Sequence, residues 1–86
     1  MKNFIICINN ESNPASLVVG KVYLTLPDKE AEALKMLRVI DEDLSEPDGY
    51  LYPMSMFVSI KVPAVAEQAL LKTVPKKTLA SLAGVS

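Results

Sequence analysis

The chain predicts a mainly β fold, a small barrel of five or six short strands with a short helical insertion and a helical C-terminal extension. Three observations carry that expectation. Val22, Leu24 and Leu26 alternate with Tyr23 and Thr25, the period of two that places one set of side chains on one face of a strand. Short apolar runs recur between segments rich in Asn, Asp, Pro and Gly, the punctuation of strands joined by turns. After Pro63 the composition shifts to strong helix formers.

A length of 86 residues holds one hydrophobic core, and at this size folding buries only about 60% of the unfolded chain's surface. Half the residues are hydrophobic and 22% are charged, the balance of a folded domain rather than of a disordered chain. Nine basic side chains against ten acidic give a net charge of −1, without the cationic bias that phosphate backbones or anionic membranes select.

The strands follow in order. Residues 4–8, Phe-Ile-Ile-Cys-Ile, are apolar at every position, so the strand they form needs cover on both faces. Residues 9–14 are dense in turn formers, and residues 17–19 read as a return to the sheet before Gly20. Residues 22–26 are the second strand. Pro27 stops it, and residues 28–37 hold Ala, Glu, Leu and Met behind Asp28, an N-cap residue, which predicts a short inserted helix. Residues 37–40 are the third strand, 41–49 a charged loop ending in Asp48-Gly49, 50–52 a fourth strand ended by Pro53, and 57–62 a fifth. Alternation assigns Ile6, Ile8, Val22, Leu24, Val39, Leu51, Val58 and Ile60 to the core.

Beyond Pro63, Ala66, Ala69 and Leu70 recur at helical spacing over 64–72; Thr73-Val74-Pro75 interrupts, and a second helix runs over 76–83 with Gly84 as its cap. Residues 1–63 carry six bases and nine acids, whereas 64–86 carry three lysines and one acid, so two units are expected: a barrel over 1–63 and a helical extension over 64–86. A broad stripe of Val65, Ala66, Ala69, Leu70 and Val74 is expected to dock on the face of the first strand that bears Ile5 and Cys7, in preference to making a homodimer through 64–83.

The stretch Gly49-Tyr50-Leu51-Tyr52-Pro53-Met54-Ser55-Met56-Phe57-Val58 is similar to the end of a Src-homology-3 (SH3) domain, where a strand, a proline and one helical turn lead to an aromatic-valine pair. The wider layout resembles small uncharacterised bacterial and phage proteins with an SH3-like barrel. Gly20-Lys21-Val22-Tyr23, Leu26-Pro27-Asp28, Arg38-Val39-Ile40-Asp41-Glu42, and Tyr50-Leu51-Tyr52-Pro53 followed by Phe57 carry that likeness. The resemblance implies the fold and no activity. The chain has no Trp and no Ala-Leu-Tyr-Asp-Tyr run, the source of groove tyrosines in signalling domains, which argues against proline-rich peptide ligands.

No motif for catalysis, cofactor or metal stands out. Cys7 is a lone thiol in an apolar strand with no His in the chain to activate it, which reads as packing, and no disulfide or structural zinc site is expected. Asp41, Glu42, Asp43, Glu46 and Asp48 do not follow the spacing of a calcium loop and read as a solvated loop. Lys72, Lys76 and Lys77 read as the exposed side of a helix. The apolar run at the start is shorter than a signal peptide's core, and no stretch approaches a membrane span, so a cytoplasmic location is the expectation.

The functional expectation is a non-catalytic protein-interaction module that takes no cofactor. Its candidate contact patch is Tyr23, Tyr50, Tyr52, Pro53 and Phe57, since aromatic residues combine large apolar area with a polar tip. Packing of the same residues into the barrel ends is the competing structural role. The alternative function is a nucleic-acid-binding small barrel, against which the net acidic body weighs.

Overall fold

The expected strands form in the expected order. A computed structural model describes residues 3–85, with side chains from Phe4 to Ala80. Its elements are β1 (Asn3–Cys7), β2 (Val22–Leu26), α1 (Lys29–Ala33), β3 (Met36–Val39), β4 (Tyr50–Pro53), a single 3-10 turn (Met54–Met56), β5 (Phe57–Ile60), α2 (Ala64–Leu71) and α3 (Lys76–Val85). The strands make one antiparallel sheet in the order β4-β3-β2-β1-β5, with β4 and β5 as its free edges.

Local chemistry accounts for the joints. Asp28 caps α1 by accepting from Ala31 N at 3.0 Å, and its second oxygen takes Arg38 Nε at 2.9 Å, which pins the helix to β3. The helix ends four residues earlier than its composition suggests. Lys35 turns through the left-handed region at φ 59°, and Met36 already belongs to β3. Gly49 opens β4 at φ 71°, where a Cβ would stand 2.4 Å from the Val39 carbonyl oxygen, so only glycine fits. Residues 17–19 form no strand. The loop between β1 and β2 instead folds back so that Leu17 is fully buried, held by Asn10 Nδ2 donating to its carbonyl at 3.0 Å.

The sheet buries apolar groups on both faces, and the register fixes which residues share a face. On the inner face Ile5, Cys7, Tyr23, Val39, Tyr52 and Phe57 cluster with Leu17 and Met56. On the outer face Phe4 and Leu24 cluster with Ile40, flanked by Val22, Leu26, Ile60 and Val62, and Leu70, Leu71 and Val74 lie over them. The expected docking of the extension is therefore present, through the opposite face of β1: Phe4 meets the helical segment, while Ile5 and Cys7 face inward.

The core assignment needs the same correction. Leu24 and Val39 are buried, Ile6, Val22 and Ile60 are half-buried, and Ile8, Leu51 and Val58 are exposed. The reason is that β2 turns its polar-capable residues inward. Thr25 Oγ1 donates to the Arg38 carbonyl at 2.8 Å and Tyr23 has partners for its hydroxyl, so both are buried at little cost and the aliphatic residues face out, under α2. Within α2, Val65 and Ala69 are exposed and Ala66 half-buried, so the expected broad stripe narrows to the helix end and the turn after it. Thr78, fully buried, anchors α3 by donating to the Pro47 carbonyl at 2.5 Å. The helix runs through Gly84, which is not its cap. The sequence also places Leu79, Leu82 and Ala83 on one side of this helix; the side chains of Leu82 and Ala83 lie outside the described residues.

Candidate functional site

The five residues of the expected contact patch do not form one surface. Tyr23, Tyr52 and Phe57 are buried in the inner cluster, with the Tyr52 and Phe57 rings edge to face at 6.0 Å between centroids and 72° between planes. Tyr50 and Pro53 are exposed on β4. Burial follows from register: Tyr23 lies opposite Ile5, Phe57 opposite Cys7 and Tyr52 opposite Leu37, all on the side that curls around Leu17 and Met56.

What joins the three tyrosines is the start of the charged loop. Asp41, Glu42 and Asp43 are consecutive, and each accepts a hydrogen bond from a different tyrosine, together engaging every tyrosine in the chain. Tyr52 donates to Asp41 Oδ2, Tyr23 to Glu42 Oε2 at 2.5 Å, and Tyr50 to Asp43 Oδ2 at 2.9 Å. Asp41 is itself buried, which corrects its reading as a solvated loop residue; its other oxygen accepts from Asp43 N at 2.9 Å. Glu42 also receives Lys21 Nζ at 2.6 Å, and that ammonium stands 5.3 Å from the centre of the Tyr23 ring. Asp43 accepts from Ser45 N at 3.1 Å and Ser45 Oγ at 2.5 Å. Val18 N donates to the Tyr23 hydroxyl at 2.8 Å and Glu42 N to the Ser16 carbonyl at 3.0 Å, so the two long loops meet on this ladder.

The three tyrosines, Glu42 and Asp43 are each held in their ordinary neutral-pH state. Burial, reinforced by the hydrogen bond to Asp41, pushes Tyr52 up to about 12. Burial and then the bond to Glu42 push Tyr23 up as well, and the bond to Asp43 raises Tyr50. Lys21, followed by the Tyr23 hydroxyl, holds Glu42 below the usual carboxylate range; Ser45, followed by Tyr50, does the same for Asp43. A general acid or base works with a pKa near the working pH, and these groups are moved away from it. The ladder is a set of donors and acceptors matched to each other, and no buried side-chain nitrogen or oxygen among the described residues lacks a partner.

Cys7 is buried, with Sγ donating to the Asn9 carbonyl at 3.4 Å, which is a packing role. Among the described residues, no group of three or more carboxylate or thiol side chains is placed to hold a metal ion, and no helix is long and apolar enough to cross a membrane. A shallow hollow of about 320 Å³ beside the ladder is lined by Asn13, Ser16, Asp41, Asp43, Tyr50 and Leu51, with Tyr52 beneath. Comparisons with protein-family models, with curated proteins and with solved structures gave no match.

The pairing of the loop with the tyrosines was missed by sequence reasoning because it joins residues up to 19 positions apart. The only sequence signal for it is numerical: three successive acids in a chain with three tyrosines.

Proposed function

We propose that the chain is a non-catalytic protein-interaction module built as an SH3-like barrel, acting in the cytoplasm as a monomer. The observation that carries it is the exposure of apolar side chains along the free edges of the sheet: Leu51 on β4 is 45% exposed and Val58 on β5 is 48% exposed, and Ile8, one residue past β1, is 52% exposed. Exposed apolar groups on an unpaired strand edge are the usual means by which a small sheet protein takes a partner. Tyr50 and Pro53 remain candidates for contact, since both are exposed on β4; Tyr23, Tyr52 and Phe57 support them from below.

The barrel reading is supported by the strand order, which brings the first and last strands together, by the β3–β4 hairpin and by the 3-10 turn before β5. The monomer is supported by Leu70, Leu71 and Val74 packing on their own sheet rather than presenting a free stripe. Nothing in the site favours the nucleic-acid alternative, because Lys21 and Arg38 are each paired with a carboxylate.

The test is capture from a nuclease-treated lysate with the full chain and with a Leu51→Glu/Val58→Glu double variant, after confirming equal melting temperatures. A specific protein held by the first and lost with the second is the expected result. Identical capture by both, or bound material that nuclease removes, contradicts the proposal.

A further inference from the structure

The edge of β5 has a chemistry of its own. In an antiparallel pair, alternate residues exchange both backbone hydrogen bonds. Ile8 N donates to Met56 O at 2.8 Å, and steps of two along the register then put the bonded pairs at Ile6 with Val58 and Phe4 with Ile60. The N–H and C=O of Ser59 and the N–H of Lys61 therefore point away from β1, toward the open side of the sheet. At the other edge, Met54 N donates to Lys35 O at 3.0 Å, which puts the bonded pairs at Leu37 with Tyr52 and Val39 with Tyr50. The outward positions there are Leu51 and Pro53, and proline has no N–H to offer. One edge is blunted, and the other keeps its donors and acceptors.

Between those edges lies a groove of about 710 Å³, with Leu37 and Met54 on one wall, Ser59 and Ile60 on the other, and Glu32 and Glu67 among its lining carboxylates. Among the described residues, Lys61 is its one lining cation. The ion pairs among the described residues are Lys21 with Glu42 and Arg38 with Asp28, so neither groove glutamate is neutralised by one.

We propose that β5 accepts an extended peptide by strand addition, the peptide alternating aliphatic with lysine or arginine side chains. This rests on the reading of the chain as an interaction module. Ser59 and Lys61 supply the main-chain bonds, the apolar walls take the aliphatic side chains, and Glu32 and Glu67 select for positive charge.

Three capped probes test this on the full chain by amide-resolved NMR: a peptide alternating valine with lysine, its glutamate counterpart, and the lysine peptide N-methylated at alternate residues. The expected result is shifts centred on residues 59–61, slowed exchange of the Ser59 and Lys61 amides, and binding weakened at least about ten-fold in each of the other two probes. Glu32→Lys/Glu67→Lys should reverse the preference between the lysine and glutamate peptides at unchanged melting temperature. Equal binding of all three peptides, shifts confined to residues 41–52, or a doubled mass without peptide that reveals β5 paired with a second copy would overturn the proposal. Absence of peptide binding alongside lysate capture that still depends on Leu51 and Val58 removes this inference alone; failure of capture removes the module reading.

Discussion

At the scale of single residues, the fold turns on three tyrosine hydroxyls donated to three successive carboxylates. Tyr52 and Asp41 are both buried, so Tyr52→Phe leaves a carboxylate oxygen without its donor and should cost about 1–3 kcal/mol in urea unfolding. A loss no larger than that of a surface substitution, below about 0.5 kcal/mol, contradicts this role. The same contacts set the pH profile. Glu42, Asp43 and Asp28 are held below the usual carboxylate range, Asp28 chiefly by the Ala31 amide and then by Arg38. Their contribution is complete above an unfolded-state pKa of about 4 and is lost as pH falls through the lower folded values. Tyr52 is raised to about 12 against about 10 unfolded, so its contribution is complete below the unfolded value and is lost as pH rises through that interval. Denaturation midpoints measured across pH should be flat around neutrality and fall on both sides, and buried tyrosinate should form only as the protein unfolds. Titration of all three tyrosines at the unperturbed value in the folded protein contradicts the ladder.

At the scale of elements, the strands were legible where period two or proline spoke plainly. The sequence placed β2 at residues 22–26, and Pro53 marked the end of β4, while β5 stops at Ile60, two residues short of the strand expected over 57–62. Which face of a strand points inward was not legible. Alternation separates two faces without saying which is inside, and β1 is apolar on both; the choice is made by Leu17 and Met56 on one side and by α2 on the other, contacts that arise only after the chain has folded. Tyr23 and Thr25 were not among the residues assigned to the core, because the partners that satisfy them lie on other strands and loops. Two neighbouring substitutions separate the faces. Ile5→Ala should cost about 2–5 kcal/mol, and Ile8→Ala, at an exposed site, about 0.5 kcal/mol or less. Comparable losses at both positions, or the reverse order, contradict the assignment.

At the scale of the whole molecule, a five-stranded sheet of four- and five-residue strands is made stable by having cover on both faces, and α2 with the turn after it supplies the outer cover. Truncation after residue 63 exposes Phe4 and Leu24, each worth about 1.5–3 kcal/mol when fully buried. The truncated chain should melt lower and bind a hydrophobic dye at unchanged monomer mass; an unchanged melting temperature contradicts the docking of α2. The account depends most on a sheet closed on both faces yet open along one edge. Amide hydrogen exchange on the full chain measures this residue by residue. The account predicts slow exchange at Phe4, Ile6, Val58 and Ile60, whose amides lie in the β1–β5 ladder, and fast exchange at Ser59 and Lys61, whose amides face the open side. Protection of Ser59 equal to that of its neighbours Val58 and Ile60 would mean that the edge is already paired, and would contradict it.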